Sequence, residues 1–375
     1  MRTRVLSSPW LRLITGAVGV VLIAMAFFDV GRLSLFGNDY NLSLIRINQA
    51  VAFMVAILGL QVITGFTGQV SLGQSFFFGL GAYTSAYLVQ DLGWPYLATL
   101  GVVVPVCFVV GVILGLPALR IQGLYLALLT FAIAAVFPSL VRLPALAEIT
   151  RGSDGKLIDA DLVAPEWLPL DSLATALQAL PLAGGFFGDG GLAQREADRV
   201  WTYLLIASVA VACFWLVRNL IDSAPGRAMR AVRDNPASAA VFGINVAATK
   251  TMAFGIGSAL GGVGGALYVM ELGIASPDDF TQLLAINLIV GLVVGGNGTL
   301  LGAAIGGLVI TFIPDWASST TSIGVLPDRA LQGPTGTLIL GALLIVLTFV
   351  MPGGVASGLA KLRTRLSPIA ERAQP

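Results

Sequence analysis

The sequence predicts an all-α membrane protein, a polytopic transmembrane helical bundle of about ten spans. Of its 375 residues, 56% are hydrophobic and 11% are charged, and the mean hydropathy is +0.88. A soluble domain usually has about 25% charged residues, so this chain has too little polar surface for a soluble fold. Its 21 Lys and Arg nearly balance its 20 Asp and Glu. This balance excludes a nucleic-acid-binding chain.

Histidine is absent, and there are two cysteines. Catalytic triads and metal sites that need histidine are therefore excluded, and we predict no catalytic residue and no metal site. Cys107 and Cys213 lie inside apolar runs without CxxC spacing, so we expect both to be buried as small apolar side chains. The 45 glycines are well above the usual share of about 7% and favour close helix packing or helix breaks.

Ten apolar stretches are candidates for membrane spans, each of which needs about 20 residues as a helix. They lie at 11–28, 45–64, 70–90, 95–117, 121–141, 200–218, 251–271, 282–296, 299–314 and 335–352. The stretches at 70–90 and between 282 and 314 are rich in glycine and carry amides, so we expect short or broken helices there. Arg2 and Arg4 precede the first stretch and Arg12 lies at its start, which resembles a signal peptide, but we favour an uncleaved first span.

The charges orient these spans. With a cytoplasmic N-terminus, 13 of the 21 Lys and Arg but only 3 of the 20 Asp and Glu face the inside. This agrees with the positive-inside rule, so both termini are predicted to be cytoplasmic. The polar stretch 143–199 then forms an external loop between two transmembrane halves, 1–142 and 200–352, and a basic tail follows at 353–375. Five spans per half would give the halves opposite orientations, as in an inverted repeat.

Two glycine-rich segments place polar groups at membrane depth. Residues 64–74 read TGFTGQVSLGQ, and residues 291–302 read GLVVGGNGTLLG. Unpaired polar groups in hydrocarbon cost several kcal/mol each, so these residues must face other helices, a cavity or an unwound backbone. The two segments indicate either a translocation path or interhelical hydrogen bonding and close packing.

A basic loop at 219–250 joins the sixth and seventh spans. Pro236 followed by residues 237–241 predicts a short helix, which Gly243 ends. The loop fits either a surface near anionic lipid or a docking helix for a cytoplasmic partner. Beyond it, Gly257, Gly261 and Gly265 have the GxxxG spacing of close helix contact rather than the context of a nucleotide loop. The chain has no GxxxxGK[ST] motif, so another subunit would have to bind any ATP that drives it.

Five stretches, in this order, resemble the membrane subunit of branched-chain amino acid ABC importers of the LIV type. They are residues 67–83, 120–127, 150–155, 226–245 with 254–268, and 295–302. The sequence departs from the family in three respects. No glutamate precedes Ala239 and Ala240, and Arg151 stands where glycine is common. The external loop is also longer than expected.

The resemblance implies a permease subunit of the bacterial plasma (inner) membrane that has no ATPase site and binds no cofactor itself. It would pair with a second homologous permease subunit. Two cytoplasmic ATP-binding subunits would hold ATP and Mg, and an extracytoplasmic substrate-binding protein would deliver substrate. The basic loop 219–250 matches the family's ATPase-coupling loop. Its candidate coupling residues are Gly226, Arg227, Arg230, Ala239, Ala240, Gly243 and Ile244.

The expected substrate is a branched-chain or other hydrophobic amino acid, which passes a gate in the first glycine-rich segment. The candidate residues of this translocation path are Thr67, Gln69, Ser71, Gly73, Gln74, Tyr83, Asn287, Gly295, Gly296 and Asn297. Urea or short amides are the alternative substrates. An ion-coupled secondary transporter is a weaker alternative, because the spans hold almost no ionisable residues and Glu271 is the nearest case. A membrane-embedded enzyme would need a catalytic base or nucleophile in a cavity.

Overall fold

The computed structural model describes residues 33–35, 38–40, 44–117, 123–158, 194–319, 341 and 354–355. The predicted spans 11–28 and 335–352, most of the external loop and the basic tail therefore lie almost wholly outside the described residues. The chain divides into two compact units. One comprises Met1–Ile47 and Asp161–Val209, and the other comprises Asn48–Ala160 and Ala210–Pro375.

The described part of the chain is predominantly helical. In chain order its elements are β1 (Leu33–Leu35), β2 (Asn38–Tyr40), α1 (Leu44–Leu60), a π-helical segment (Gln61–Phe66), α2 (Gln74–Gln90), α3 (Tyr96–Gly115), α4 (Leu124–Val141), α5 (Ala147–Thr150), β3 (Lys156–Leu157), α6 (Gln194–Asp222), α7 (Ala224–Asp234), α8 (Pro236–Val241), α9 (Val246–Leu272), β4 (Ile274–Ala275), α10 (Gln282–Gly295) and α11 (Leu300–Ser319). Short 3-10 turns at Pro144–Leu146, Gly152–Asp154 and Pro277–Phe280 complete the connections. The pairs β1–β2 and β3–β4 are antiparallel. These short strands are a small departure from the predicted all-α fold.

The helical membrane fold is confirmed, whereas the number of spans is not. Each of the eight predicted spans between residues 45 and 314 contains a helix. By length and apolar composition, 4 described helices can cross a membrane, or up to 5 if α4 and its bent continuation form one span. Helix α10 and the apolar part of α11, Leu300–Pro314, are shorter than these helices, and α2 begins only at Gln74. The prediction of short or broken helices in these places is therefore confirmed.

Helix α9 packs closely against α3 and α2 because its glycines let the backbones approach. A Cβ on Gly81 of α2 would overlap the backbone of Gly262, and one on Gly265 would overlap the carbonyl of Phe78. A Cβ on Gly257 would come within 2.4 Å of the side chain of Ile63 in the π-helical segment. The prediction of helix packing for the GxxxG run is thus confirmed.

Two ion pairs join segments of the chain on the side of the C-terminal end of α2, the end away from Gln74. Lys156, only 1% exposed, pairs with Asp91 just beyond α2, donates to the carbonyl of Ile149 at 2.8 Å and lies over the ring of Tyr87. Arg142 pairs with Asp278 at 2.5 Å, but both side chains are exposed. In the first pair Lys156 is therefore shielded from water while the side chain of Asp91 is 33% exposed, and in the second pair both side chains are exposed.

Neutralising the buried pair is expected to cost far more stability than neutralising the exposed one. In Asp91→Asn the ammonium group of Lys156 stays buried without its counter-charge, which should lower the free energy of unfolding by about 2 kcal/mol or more. Asp278→Asn should cost less than about 1 kcal/mol. Thermal unfolding of both variants in detergent measures the difference, and equal melting temperatures would contradict it.

Candidate functional site

The first glycine-rich segment contains a break between α1 and α2. After α1 the chain widens into the π-helical segment, and residues 67–73, here called the first break, are not helical. Gly68 has φ +74°, a left-handed conformation that favours glycine. Its N–H and that of Gln69 donate to the carbonyls of Thr64 and Ile63 at 3.1 Å. The glycine thus ends the helical segment without unpaired carbonyls at these two residues.

Small polar side chains of the first break bond to nearby backbone. Thr67 and Ser71 are 2% and 1% exposed. The Thr67 hydroxyl donates to the carbonyl of Val62 at 2.8 Å. Ser71 Oγ accepts weakly from the N–H of Gly73 at 3.4 Å. These candidate path residues are therefore buried and fix the shape of the break.

Two glutamines tie the first break to other helices. Gln69 Nε2 donates to the carbonyl of Lys250 in the first turn of α9 at 3.2 Å. Gln74 Nε2 bridges the carbonyls of Ala56 in α1 and Gly257 in α9, at 2.9 and 3.1 Å. Both glutamines are at most 5% exposed. In this conformation they act as interhelical hydrogen-bond donors.

Tyr83, the remaining candidate of the first half, lies in an aromatic cluster. Its ring centroid is 6.2 Å from that of Phe137 and 5.8 Å from that of Phe280. Its hydroxyl oxygen is buried and has no hydrogen-bond partner in the described part of the chain. The structure therefore places Tyr83 in the core, apart from the first break.

A second break, residues 296–299, separates α10 from α11. Gly296 has φ +119°, and Thr299 Oγ1 donates to its carbonyl and accepts from the N–H of Gly302, both at 3.0 Å. The candidates Gly295 and Gly296 are buried, and Asn297 is exposed. Asn287 is half-buried on α10, where its amide makes no hydrogen bond to a described residue.

Gln61, a residue that sequence reasoning missed, joins the π-helical segment before the first break to the second break. Its side chain is 0% exposed. Nε2 donates to the carbonyl of Gly296 at 2.8 Å, and Oε1 accepts from the N–H of Gly298 at 2.7 Å. The signal was present in the sequence, since an amide inside the apolar stretch 45–64 must find buried partners.

Helix α7 opens the basic loop and carries its arginines. Met229 and Val232 are each 1% exposed and form its inner face. Arg227 and Arg230 donate to the carbonyls of Asp222 and Ile221 at 3.2 and 3.1 Å. These carbonyls end α6 and have no partners within it, so the two cations cap that helix. The candidate Gly226 is buried at this junction, where a Cβ would overlap carbonyls of α6.

Helix α8 is the predicted short helix, which begins at Pro236 and is thus confirmed. Asn235 caps its first turn with a side-chain hydrogen bond of 3.0 Å. Gly243, at φ +80°, ends it. The N–H groups of Gly243 and Ile244 donate to the carbonyls of Ala240 and Ala239 at 3.0 Å. This is the Schellman arrangement, so the turn after α8 is well defined.

Two large apolar side chains form the tip of this loop. Val241 and Phe242 are each 85% exposed. Of the candidate alanines, Ala239 is only 3% exposed, whereas Ala240 faces outward. Sequence reasoning named the alanines and missed the tip. The available signal was a pair of large apolar residues directly before a helix-ending glycine in a basic loop.

Arg233 brings the basic loop to the first break. Its Nη1 donates to the carbonyl of Gly65 at 3.0 Å, while Nε and Nη2 each donate to Asp234 at 3.1 Å. A cavity of about 150 Å³ lies beside this contact and is lined by both segments. Sequence reasoning assigned Arg233 no role beyond its charge.

The described side chains can form hydrogen bonds and surface contacts with a partner. Among them no three His, Cys, Asp or Glu side chains are grouped to hold a metal. Cys107 and Cys213 are free and buried, as predicted. The polar side chains of the two breaks are amides and hydroxyls, and Arg233 adds a guanidinium group beside them. Such groups can recognise a small polar molecule or a protein surface.

A family model for the permease component of branched-chain amino acid transport systems matches residues 43–348. This range contains both breaks and the whole basic loop. It is well over half of the chain.

Individual relatives and one solved structure are also similar. The high-affinity branched-chain amino acid transport system permease protein LivM of Escherichia coli is 29% identical over 262 residues, 69% of this chain and 59% of LivM. The permease protein LivH of the same organism is 28% identical over 157 residues, 42% of this chain and 46% of LivH. The chain thus spans less than two thirds of the length of these relatives.

One solved structure is also similar. It is an inward-facing structure assigned to a metal-chelate type ABC transporter, with a TM-score of 0.44 and 17% identity, and the match covers 90% of this chain and 99% of that protein's chain.

Proposed function

The chain belongs to the family of permease components of branched-chain amino acid transport systems, and from this premise we propose that it is the membrane subunit of an ATP-driven importer. It forms half of a translocation path in a bacterial inner membrane, and a second homologous permease forms the other half. Two cytoplasmic subunits bind ATP and Mg and hydrolyse the ATP. A binding protein outside the membrane delivers the substrate.

The exposed tip of the basic loop carries this proposal. A water-exposed protein surface rarely presents two adjacent large apolar side chains at the end of a well-defined helix unless a partner covers them. Val241 and Phe242 stand out at 85% exposure each, on a helix that is capped at both ends. The basic loop therefore serves as the coupling loop, and its tip inserts into an apolar groove of an ATPase subunit.

The breaks form the gate of the path. When ATP binding brings the ATPase subunits together, the coupling loops move and the two permease subunits rock against each other. The first break opens by giving up the hydrogen bonds of Gln69 and Gln74 to the carbonyls of Lys250, Ala56 and Gly257. Hydrolysis restores the closed arrangement.

Polar groups along the path handle the charged ends of an amino acid. Asn287 supports this assignment, because an amide without a partner inside hydrocarbon costs several kcal/mol and is stable only against water or a polar surface. It shares α10 with the exposed side chains of Leu283 and Ile286. This face lines the path, and its apolar residues accept the side chain of leucine, isoleucine or valine.

Replacing Asn287 should slow transport without harming the fold. Asn287→Leu removes a polar group of the path, so we expect uptake to fall about tenfold while the melting temperature stays the same or rises. Ser208→Ala is the matched control. That hydroxyl lies exposed on another apolar helix, α6, but it bonds to the carbonyl of Leu205 at 2.8 Å and needs no other partner. Equal uptake by both variants would contradict a path along α10.

Uptake by cells tests the substrate. A strain that lacks this chain is complemented with the wild type, and the uptake of labelled leucine and labelled urea is measured. Leucine uptake that depends on the chain and that isoleucine and valine compete for supports the proposal. Chain-dependent urea uptake without leucine uptake would replace the amino acid by urea or short amides.

A further inference from the structure

The coupling loop contacts the first break through the side chain of Arg233. The carbonyl of Gly65 is among the last of the π-helical segment, where carbonyls lack partners within the helix. Arg233 satisfies it at 3.0 Å. Asp234 holds the other two nitrogens of the guanidinium fork. A fork anchored on both sides keeps its direction, so the contact is a defined one.

Glycines make room for this guanidinium at the junction of the breaks. A Cβ on Gly68 would come within 2.9 Å of Arg233 Cγ, and one on Gly298 would come within 3.4 Å of Nη1. Arg233 therefore lies against Gly65 and Gly68, which flank the start of the first break, and against Gly298 in the second. The residues that make these contacts are far apart in sequence.

Gln61, four residues before Gly65 in the π-helical segment, contacts the same junction. A Cβ on Gly65 would come within 2.8 Å of the backbone nitrogen of Gly298, so the π-helical segment just before the first break is in direct contact with the second break. The buried amide of Gln61 then holds the second break by two hydrogen bonds, to Gly296 and Gly298. A displacement of Gly65 thus reaches the second break without an intervening flexible element.

Apolar packing beside Arg233 is incomplete. The cavity of about 150 Å³ separates Val232 and Pro236 of the coupling loop from Thr67 and Val70 of the first break. A gap of this size weakens direct van der Waals transmission between these surfaces. Two hydrogen bonds therefore connect the coupling loop firmly at this place, that of Arg233 to the carbonyl of Gly65 and that of Gln69 to the carbonyl of Lys250.

We propose that Arg233 and Gln61 are positioning residues of the transport cycle. Arg233 transmits the movement of the coupling loop to Gly65, and Gln61 passes it on to the second break, so that both breaks shift together. This inference rests on the proposed function, because it needs a partner that moves the loop. A mere structural brace would instead reduce ATP hydrolysis and uptake to the same extent.

The ratio of leucine transported to ATP hydrolysed tests this inference. The chain is purified with its partners and placed in proteoliposomes. In Arg233→Gln we expect this ratio to fall about tenfold, within the usual range of coupling between sites, while ATPase binding and ATP hydrolysis stay within about twofold. Arg142→Gln is the matched control, since the Arg142 and Arg233 side chains are 38% and 39% exposed and each pairs with an aspartate. It should keep the wild-type ratio.

A second variant tests the other positioning residue. Gln61→Met keeps the size of the side chain but removes both hydrogen bonds to the second break. It should lower the same ratio, and the double variant Gln61→Met with Arg233→Gln should fall no further than the lower single variant. A wild-type ratio in Arg233→Gln, or an equal loss of uptake and hydrolysis, would overturn the inference.

Thiol labelling gives a readout independent of transport. The native cysteines are buried, and Asn297 is exposed in the second break. In an Asn297→Cys background, ATP should change the labelling rate, and Arg233→Gln should remove this change. An ATP effect that persists in Arg233→Gln overturns the inference alone. A wild-type chain that brings down no ATPase overturns the proposed function itself.

Discussion

Replacing Phe242 by arginine is expected to release the ATPase partners while the chain stays folded. The ring of Phe242 is 85% exposed, so nothing within the described chain depends on it. Burying a phenyl ring in a partner's groove contributes about 2 kcal/mol, and a buried arginine adds a desolvation cost. The amount of ATPase that co-purifies should therefore fall at least about tenfold.

A control separates docking from a general surface effect. Leu157 is also a large apolar side chain, 61% exposed on β3, and lies outside the coupling loop. Leu157→Arg should leave the ATPase bound and the melting temperature within a degree or two of wild type. The docking account is wrong if Phe242→Arg retains the wild-type amount of ATPase. Ala239→Arg is a poorer test, because Ala239 is buried in the loop itself.

Replacing Gly81 by alanine is expected to lower the stability of the fold strongly. Helices α2 and α9 touch at Gly81 and Gly262, and a single methyl group on Gly81 would overlap the backbone of α9. Backbone cannot move aside as a side chain can, so we expect a loss of about 3 kcal/mol or more. This is a large part of the usual stability of about 5–15 kcal/mol.

The matched variant is Gly101→Ala in α3. An added Cβ there would have no atom within 4 Å, and alanine is the better helix former by up to about 1 kcal/mol. Gly101→Ala should therefore keep or raise the melting temperature, whereas Gly81→Ala should yield little monodisperse protein. Normal yield and melting temperature for Gly81→Ala would show that α2 and α9 are further apart than described.

Local patterns predicted much of the fold. Apolar length located the helices, the spacing of Gly257, Gly261 and Gly265 indicated close packing, and Pro236 and Gly243 bounded α8. Each of these signals lies within a few residues of the structure that it determines. The number of spans is not confirmed, and the inverted repeat is untested. Both concern the arrangement of several spans together, which patterns of a few residues do not determine.

The site depends on contacts between residues far apart in the chain, and a single sequence does not show which residues meet. Gln61 bonds to a loop 235 residues away, and Arg233 to a carbonyl 168 residues away. Nothing in either residue's neighbourhood indicates that partner, since helix neighbours are set by the packing of the whole bundle. Phe242 shows a different limit, because the pattern predicts the helix but not which residues beside it face outward.

The most direct test of the whole account is ATP-driven uptake by the complex that the tagged chain brings out of its native membrane. The purified complex is reconstituted with ATP on the side of the coupling loop and with the substrate-binding protein on the other side. We expect two ATPase subunits and a second permease to co-purify, and labelled leucine to accumulate only when ATP is present. A chain that is purified alone and moves solute without ATP would contradict the account and indicate a secondary transporter.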